Sequence, residues 1–187
     1  MVNHLSDAFK WKIVIIGDAA VGKTSLIRRY TTDSFEKDYI STLGMQFSKY
    51  EELVEGEKVE LLLWDLAGQD SFSTMRDKFY KGSSGAIVVF SLAPEELETY
   101  EHIDRWLSNI REGCGNIPII LFGNKADLVD QNALATSPNY ATSDVHVKKF
   151  AQDHKIIEYY KTSALTGQGV KEAFQTLVFK LYQRATI

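Results

Sequence analysis

Short runs of β-branched and other apolar residues alternate along this chain with longer stretches in which apolar residues recur every three or four positions. The short runs predict strands and the longer stretches predict amphipathic helices. Six strands are predicted, near residues 12–16, 45–53, 58–64, 85–91, 117–122 and 156–161. Helices are predicted at 23–32, 98–111, 143–154 and 169–184, with a less regular segment at 73–81.

Strands that alternate with helices are typical of repeated βαβ units, so the pattern predicts an α/β fold with a mostly parallel sheet and helices on both faces. Glu55, Gly56 and Glu57 join the second strand to the third. A connection this short forms a hairpin, which predicts one antiparallel edge strand. The polar stretch 129–142 predicts a surface loop inserted into the domain. The last helix has the clearest apolar stripe, formed by Val170, Ala173, Phe174, Leu177, Val178 and Leu181.

Composition narrows the class of protein. The chain has 187 residues, of which 44% are hydrophobic, a size that predicts one domain. Its net charge of −4 argues against nucleic acid as a partner, because phosphate-rich partners require clustered Lys and Arg. Cys114 is the only cysteine, so no internal disulfide can form and a reducing, cytoplasmic location is predicted.

The sequence gives little indication of membrane insertion. The longest apolar stretch, 85–93, is much shorter than the roughly 20 residues of a membrane helix. Val2 excludes N-myristoylation, and no cysteine near Ile187 is available for prenylation. Peripheral membrane attachment is therefore expected only through an adaptor or a lipidated tail that is missing from this chain.

Residues 17–24 read GDAAVGKT, which matches the phosphate-binding pattern GxxxxGK[ST] directly after a strand and at the start of a helix. In such a loop the backbone N–H groups point at phosphate oxygens. Lys23 is then expected to reach the β and γ phosphates, and the Thr24 hydroxyl to ligate Mg²⁺. The alternative is a glycine turn with an incidental lysine.

Residues 64–69, WDLAGQ, close the third predicted strand. Asp65 can hold Mg²⁺ through water, the Gly68 N–H can meet a γ-phosphate, and Gln69 can orient an attacking water. Taken alone, this segment could be an ordinary turn after a strand.

Residues 124–127, NKAD, follow the fifth predicted strand, and Ser163, Ala164 and Leu165 follow the sixth. The Asp127 carboxylate can accept two hydrogen bonds from guanine, whereas adenine offers no such pair of donors. All these segments fall at carboxyl ends of predicted strands, the edge where open α/β sheets bind ligands.

The segments GDAAVGKT, STLG, WDLAGQ, NKAD and TSAL together resemble the nucleotide motifs of the Ras superfamily, in order, and the similarity extends from about residue 9 to the C-terminus. The resemblance implies a P-loop small G-protein fold preceded by an extension at 1–8. It implies a monomeric GTPase that binds GTP and GDP with Mg²⁺, hydrolyses GTP slowly and changes the shape of two loops.

Site residues follow from the resemblance position by position. Thr42 matches the first-switch threonine that ligates Mg²⁺ in the GTP state, and Phe35 matches the aromatic beside the guanine. Catalytic roles are implied for Gln69, Lys23, Thr42 and Gly68, and Mg²⁺ binding for Thr24, Thr42 and Asp65. Nucleotide contacts are implied for Asp18, Ala19, Ala20, Val21, Gly22, Lys23, Thr24, Ser25, Phe35, Tyr39, Thr42, Gly68, Asn124, Lys125, Asp127, Leu128, Ser163, Ala164 and Leu165.

Among the subfamilies the sequence is most similar to Rab proteins, on the basis of residues 39–44, YISTLG, and of WDLAGQ. Phe47, Trp64 and Phe79 resemble the aromatic triad beneath the Rab partner surface. The alternative is that they are half-buried core aromatics. The resemblance implies an exchange factor, an activating protein and effectors as partners, with a role in membrane trafficking or signalling.

Three departures from the family pattern leave alternatives open. Leu165 stands where the family usually has Lys, Ala19 and Ala20 replace two glycines of Ras, and 129–142 lies where Rho proteins carry an insert. Ala19 and Leu165 leave open a nucleotide-bound scaffold with little hydrolysis, and the insertion at 129–142 leaves the subfamily open. An ATP-using P-loop enzyme is the other alternative, although Asp127 selects against adenine.

Other chemistry-bearing residues receive no functional role from the sequence. The four histidines, at positions 4, 102, 146 and 154, lack metal-ligand spacing and are expected at the surface. Glu95, Glu96 and Glu98 follow Pro94 near a helix start, and they are interpreted as partners of the helix dipole.

Overall fold

The computed structural model describes residues 9–31, 39–42, 45–66, 79–130, 132 and 142–187. The strands are β1 (Phe9–Ile16), β2 (Tyr39–Thr42), β3 (Met45–Val54), β4 (Glu57–Leu66), β5 (Gly85–Ser91), β6 (Ile119–Asn124) and β7 (Tyr159–Lys161). The α-helices are α1 (Lys23–Thr31), α2 (Glu98–Glu101), α3 (Ile103–Cys114), α4 (Asp144–Asp153) and α5 (Val170–Ala185). Two short 3₁₀ turns lie at Pro94–Glu96 and Ala126–Leu128.

The strands form one sheet in the order β2-β3-β4-β1-β5-β6-β7. The neighbouring strands from β4 through β1, β5 and β6 to β7 pair in parallel. At the other end of the sheet, β3 pairs antiparallel with β4, and β2 pairs antiparallel with β3. The α/β fold with a mostly parallel sheet is therefore confirmed.

The sheet has seven strands in the described part of the chain, one more than predicted. The added strand, β2, has only four residues and pairs with β3 from Tyr39 opposite Ser48 to Thr42 opposite Met45. A segment this short carries no measurable period of its own, and its pairing with the longer β3 makes it a strand. One strand, β3, runs antiparallel to the others, as predicted, but the edge position belongs to β2, which runs in the same direction as β4.

The helix predicted at 98–111 is divided into α2 and α3 at His102. The His102 backbone, with φ −83° and ψ −3°, departs from helical geometry at this residue. The other predicted helices agree with the structure to within two residues at each end.

The core lies on both faces of the sheet. On one face α1 and α5 bury Leu26, Phe174 and Leu177 against the odd-numbered residues of β1, and on the other α3 buries Trp106 and Ile110 against the even-numbered ones. Alternating side chains of one strand point to opposite faces, so β1 contributes to both clusters. Helices therefore cover both faces, as predicted.

Some predicted features lie outside the described residues. They are the N-terminal extension 1–8, most of the loop at 129–142 and most of the segment at 73–81. Within the part of the chain that the structure describes, no helix is long and apolar enough to cross a membrane.

Candidate nucleotide site

The phosphate-loop candidate begins where β1 ends and runs to the first residue of α1. Two of its glycines are required by space as well as by backbone geometry. Gly17 has φ +141°, and a Cβ there would lie 2.1 Å from the Val89 carbonyl oxygen. Gly22 has φ +99°, and a Cβ there would lie 2.3 Å from Asn124 Nδ2. Any side chain at these two positions would displace the backbone or the Asn124 amide. Glycine is therefore required at both positions for the loop to lie this close to its neighbours.

Lys23 is 7% exposed, and its ammonium lies inside the loop. Its Nζ donates hydrogen bonds to the carbonyl oxygens of Gly17 at 3.0 Å and Asp18 at 2.7 Å. A buried ammonium is stable only when its hydrogen bonds are satisfied, and these carbonyls satisfy them. The result is a fixed positive charge at the N-terminus of α1, a place that favours an anion.

The metal-site candidates Thr24 and Asp65 come from different elements and meet. The Thr24 hydroxyl donates a hydrogen bond to an Asp65 carboxylate oxygen. Asp65 lies near the end of β4, opposite Ile15 of β1, and is 8% exposed. Burial raises the pKa of Asp65, and the Thr24 hydrogen bond and the Lys23 charge act in the opposite direction. Hydroxyl and carboxylate oxygens are the ligands that Mg²⁺ prefers, so this pair fits the ion.

Asn124 connects the two halves of the site. It is 2% exposed, and its Nδ2 donates to the Val21 carbonyl oxygen at 2.8 Å. Its Oδ1 accepts from the Ala164 backbone N–H at 3.2 Å and from the Thr162 hydroxyl at 3.3 Å. One amide therefore joins the phosphate loop, the end of β6 and the loop after β7.

The base-recognition candidate Asp127 is held by the loop that follows β7. Ser163 Oγ donates to Asp127 Oδ1 at 2.5 Å. On the other side of that loop, Arg29 Nε donates to the Ala164 carbonyl oxygen at 2.9 Å. Leu128 follows Asp127 and Leu165 lies in the loop that holds it, and both leucine side chains are exposed, at 58% and 73%. A carboxylate that accepts hydrogen bonds, with exposed apolar side chains on the same two loops, suits a flat heterocycle with N–H donors at its edge.

The structure brings most of the predicted site residues to one edge of the sheet, the carboxyl ends of β1, β4, β6 and β7. Those described with side chains are Asp18, Ala19, Ala20, Val21, Gly22, Lys23, Thr24, Ser25, Asp65, Asn124, Lys125, Asp127, Leu128, Ser163, Ala164 and Leu165. Tyr39 and Thr42 are described only as backbone of β2, and Phe35, Gly68 and Gln69 lie outside the described residues.

The Ras family model matches residues 12–183 of the chain, which include this whole edge of the sheet. The chain belongs to the Ras family. The Ras-related protein RABA4b of Arabidopsis thaliana is 36% identical over 175 residues, which cover 93% of this chain and 73% of RABA4b. The Ras-related protein Rab-11A of Dictyostelium discoideum is 34% identical over 175 residues, covering 93% of this chain and 77% of that protein. The chain is therefore a Rab-like small GTPase, which confirms the family resemblance.

In this Ras-family protein the Asp18 carboxylate contacts one side chain of α3 and the side chain of His102, the residue directly before α3. Trp106 Nε1 donates to Asp18 Oδ1 at 2.8 Å, and His102 Nδ1 lies 2.5 Å from Asp18 Oδ2. From the sequence alone, His102 is expected only at the surface. The contact joins residues 84 apart, so no local spacing could have predicted it.

Glu96 is a second residue whose role the sequence interpretation missed. Its carboxylate oxygens both lie 2.7 Å from Nζ of Lys125. Glu96 lies in the first turn of Pro94–Glu96, as the interpretation as a helix-dipole partner expects, and its carboxylate also binds the lysine of the base motif, a contact that this interpretation does not include.

The three aromatics predicted for the partner surface lie together and are partly exposed. Ring centroids are 6.2 Å apart between Phe47 and Trp64 and 6.4 Å apart between Trp64 and Phe79. Lys12 Nζ lies 3.9 Å from the Trp64 ring centroid and donates to the Lys81 carbonyl oxygen at 3.0 Å. A cation over an aromatic face adds a charged group to this otherwise apolar patch.

Proposed function

We propose that this Rab-like GTPase binds GTP and GDP with Mg²⁺ at the carboxyl edge of its sheet and switches two loops as it hydrolyses GTP. The observation that carries the proposal is the Asn124 amide, which links Val21 of the phosphate loop to Ala164 of the base loop. Because one buried side chain holds both loops, the parts expected to bind phosphate and base have a fixed separation. A single nucleotide can contact both.

Guanine is the base that fits. The Asp127 carboxylate, oriented by Ser163, can accept hydrogen bonds from guanine N1–H and its exocyclic amine. Adenine has no such donor pair and would leave the carboxylate without partners, a loss that gives strong discrimination.

Hydrolysis in this proposal rests mainly on positioning and charge. Lys23 would bind the β and γ phosphates, and Thr24, Thr42 and Asp65 would hold Mg²⁺. When bound, the metal neutralises charge that develops on the γ-phosphate. Gln69 orients the attacking water, and the Gly68 N–H together with Thr42 senses the γ-phosphate, so that its loss releases both loops.

The experiment is competition for a fluorescent GDP analogue by GDP, XDP and ADP, with turnover of GTP measured on the same preparation. Asp127→Asn should weaken GDP relative to XDP by roughly 10- to 100-fold, because an amide donor then faces the xanthine carbonyl. Asp130→Asn is the matched control, an exposed aspartate three residues further along the loop, and it should change neither affinity.

Different results would select the alternatives. An unchanged preference in Asp127→Asn would remove Asp127 from the base site. Tight ADP binding by the wild type would favour an ATP-using enzyme, and GTP binding without turnover, even with activating proteins present, would favour a scaffold.

The same proposal includes partner binding. Switch-dependent partners, namely an exchange factor, an activating protein and effectors, contact the switch loops and the patch of Phe47, Trp64 and Phe79. The proposed setting is membrane trafficking or signalling from the cytoplasm, with membrane attachment through an adaptor or a lipidated tail. In domain terms, residues 9–187 form the GTPase domain, with 1–8 as an extension and 129–142 as an insertion.

A further inference from the structure

Lys125, the second residue of the base motif, is held by a residue from a different part of the sheet. Its Nζ lies 2.7 Å from Oε1 and 2.7 Å from Oε2 of Glu96. Glu96 is the last residue of the 3₁₀ turn Pro94–Glu96, which follows β5. Both carboxylate oxygens therefore accept hydrogen bonds from the charged ammonium, and such charge-assisted hydrogen bonds are stronger than neutral ones.

The backbone end of Lys125 is fixed as well. It is in the left-handed conformation, with φ +64°. The flanking peptides are hydrogen-bonded, since Ala126 N donates to the Thr162 carbonyl oxygen and Leu128 N donates to the Lys125 carbonyl oxygen, each at 3.0 Å. The lysine stem is thus held between a fixed backbone and a fixed carboxylate.

The turn that carries Glu96 is anchored beside the base motif. Glu96 N donates to the Ala93 carbonyl oxygen at 2.9 Å, and the Thr99 hydroxyl donates to the Glu96 carbonyl oxygen at 2.7 Å. The same hydroxyl accepts from the Ser91 N–H at 2.9 Å, and Ser91 is opposite Asn124 in the sheet. Hydrogen bonds from Lys125 and then from Ser91 hold the pKa of the Glu96 carboxyl below its usual value.

We propose that Glu96 is a positioning residue in the binding of guanine nucleotide. It holds the Lys125 side chain in place before the base binds. The proposal rests on the function proposed above, because Lys125 matters only if NKAD receives the base. A long side chain that is already ordered loses less conformational freedom on binding, so the complex is more stable. Both side chains remain partly exposed, at 24% for Lys125 and 33% for Glu96, and such pairs contribute little to folding itself. Loss of the Glu96–Lys125 pair should therefore change the rate of nucleotide dissociation more than the stability of the fold.

The test is the dissociation rate of a fluorescent GDP analogue from the purified chain in the presence of Mg²⁺. Glu96→Gln should accelerate dissociation by roughly three- to tenfold, with an unchanged circular dichroism spectrum and melting temperature. Glu95→Gln is the matched control, because Glu95 is the exposed neighbour on the same turn, and its rate should equal that of the wild type. Glu96→Asp, which keeps the charge, should recover part of the retention.

A double-mutant cycle separates positioning from a structural role. Lys125→Met removes the ammonium, and Glu96→Gln added to Lys125→Met should then have no further effect on dissociation. An unchanged rate in Glu96→Gln alone would overturn the proposal, and so would an equal acceleration in both backgrounds. A wild-type chain that does not retain GDP would overturn the proposed function instead.

Discussion

Glu52 is an acid on the core face of β3, where the alternation of the strand would place an apolar residue. Tyr30 OH donates to its Oε2 at 2.9 Å, while Oε1 is buried and has no hydrogen-bond partner within the described residues. Burial raises the pKa of Glu52, and Tyr30 and Lys171 only partly oppose this effect. The charged form is thus less stable here than in the unfolded chain.

The consequence is a pH dependence of known sign. When the pKa of an acid is higher in the folded state, the free energy of unfolding falls as pH rises above about 4.3, the ordinary pKa of Glu. The decrease is complete at pH values above the folded pKa. Glu52→Gln should therefore raise the free energy of unfolding at pH 7 by about 1 kcal/mol or less, since the side chain is only partly buried. The gain should vanish below about pH 4.

Chemical denaturation at pH 7 and pH 4 measures this effect, with Glu51→Gln as the control on the opposite face of the strand. A hydrogen bond from Lys58 lowers the pKa of Glu51, so its charge is favoured and its neutralisation should not stabilise the protein. Equal responses of the two variants would contradict the burial argument.

At the scale of residues, the sequence identifies the side chains expected to bind the nucleotide but not all of the side chains that hold them in place. Lys23, Thr24 and Asp65 could be predicted because each stands at a fixed place relative to a strand end. Glu96 could not, because its separation of 29 residues from Lys125 is bridged by a turn whose direction the sequence does not reveal. His102 and Trp106 reach Asp18 across a still longer separation. Side-chain pairs between distant elements depend on tertiary packing, which a one-dimensional pattern does not contain.

At the scale of elements, length decides what the pattern can predict. The six stripe residues predicted for the last helix are all buried in α5, because 16 residues give the helical period several repeats. The four residues of β2 give no such repeat, and the division at His102 depends on local backbone angles. Periodicity therefore predicts long amphipathic elements and misses short ones that form by pairing.

The neighbouring β3 and β4 carry the element-scale prediction, because Phe47 is opposite Trp64 in their pairing. Phe47→Ala should reduce capture of GTP-dependent partners by about tenfold or more, as expected when a central aromatic is removed from an interface, while GDP dissociation stays unchanged. Pull-down with GTP-loaded protein measures the first quantity and nucleotide release the second.

Leu53→Ala is the control for that experiment, because Leu53 is 74% exposed and lies at the far end of the same strand. It should leave partner capture intact. If Phe47→Ala instead lowers the melting temperature and GDP retention together, the triad is better interpreted as part of the core.

At the scale of the whole molecule, the topology explains why motifs spread over most of the chain form one site. Parallel strands end at the same edge, so the segments after β1, β6 and β7 meet there although about 145 residues separate the first from the last along the chain. The sequence predicts this convergence because each motif stands at the carboxyl end of a predicted strand. It could not predict the Asn124 link that fixes the distance between the two halves.

The final prediction concerns the catalytic rate of the isolated protein, which should be slow until a partner supplies positive charge. In-line attack on the γ-phosphate needs an oriented water and cationic groups around the transition state, and Lys23 is the cation fixed in the phosphate loop. Residues 33–43, the segment from which an internal arginine would have to come, contain Lys37 and no arginine. Arg29, at the end of α1, is instead bonded to the Ala164 and Leu165 carbonyl oxygens.

In Ras the unassisted rate is on the order of 10⁻⁴ s⁻¹ and an external arginine raises it by roughly 10⁵, so a similar division between switch and activator is expected here. Gln69→Leu should reduce activator-stimulated hydrolysis to near the unassisted rate and change GTP affinity by no more than a few-fold, because the side chain orients water and does not bind nucleotide. Single-turnover hydrolysis with and without an activating protein measures both effects. An unassisted rate near 1 s⁻¹ would show that the chain supplies its own charge, and undiminished hydrolysis in Gln69→Leu would remove this residue from the reaction.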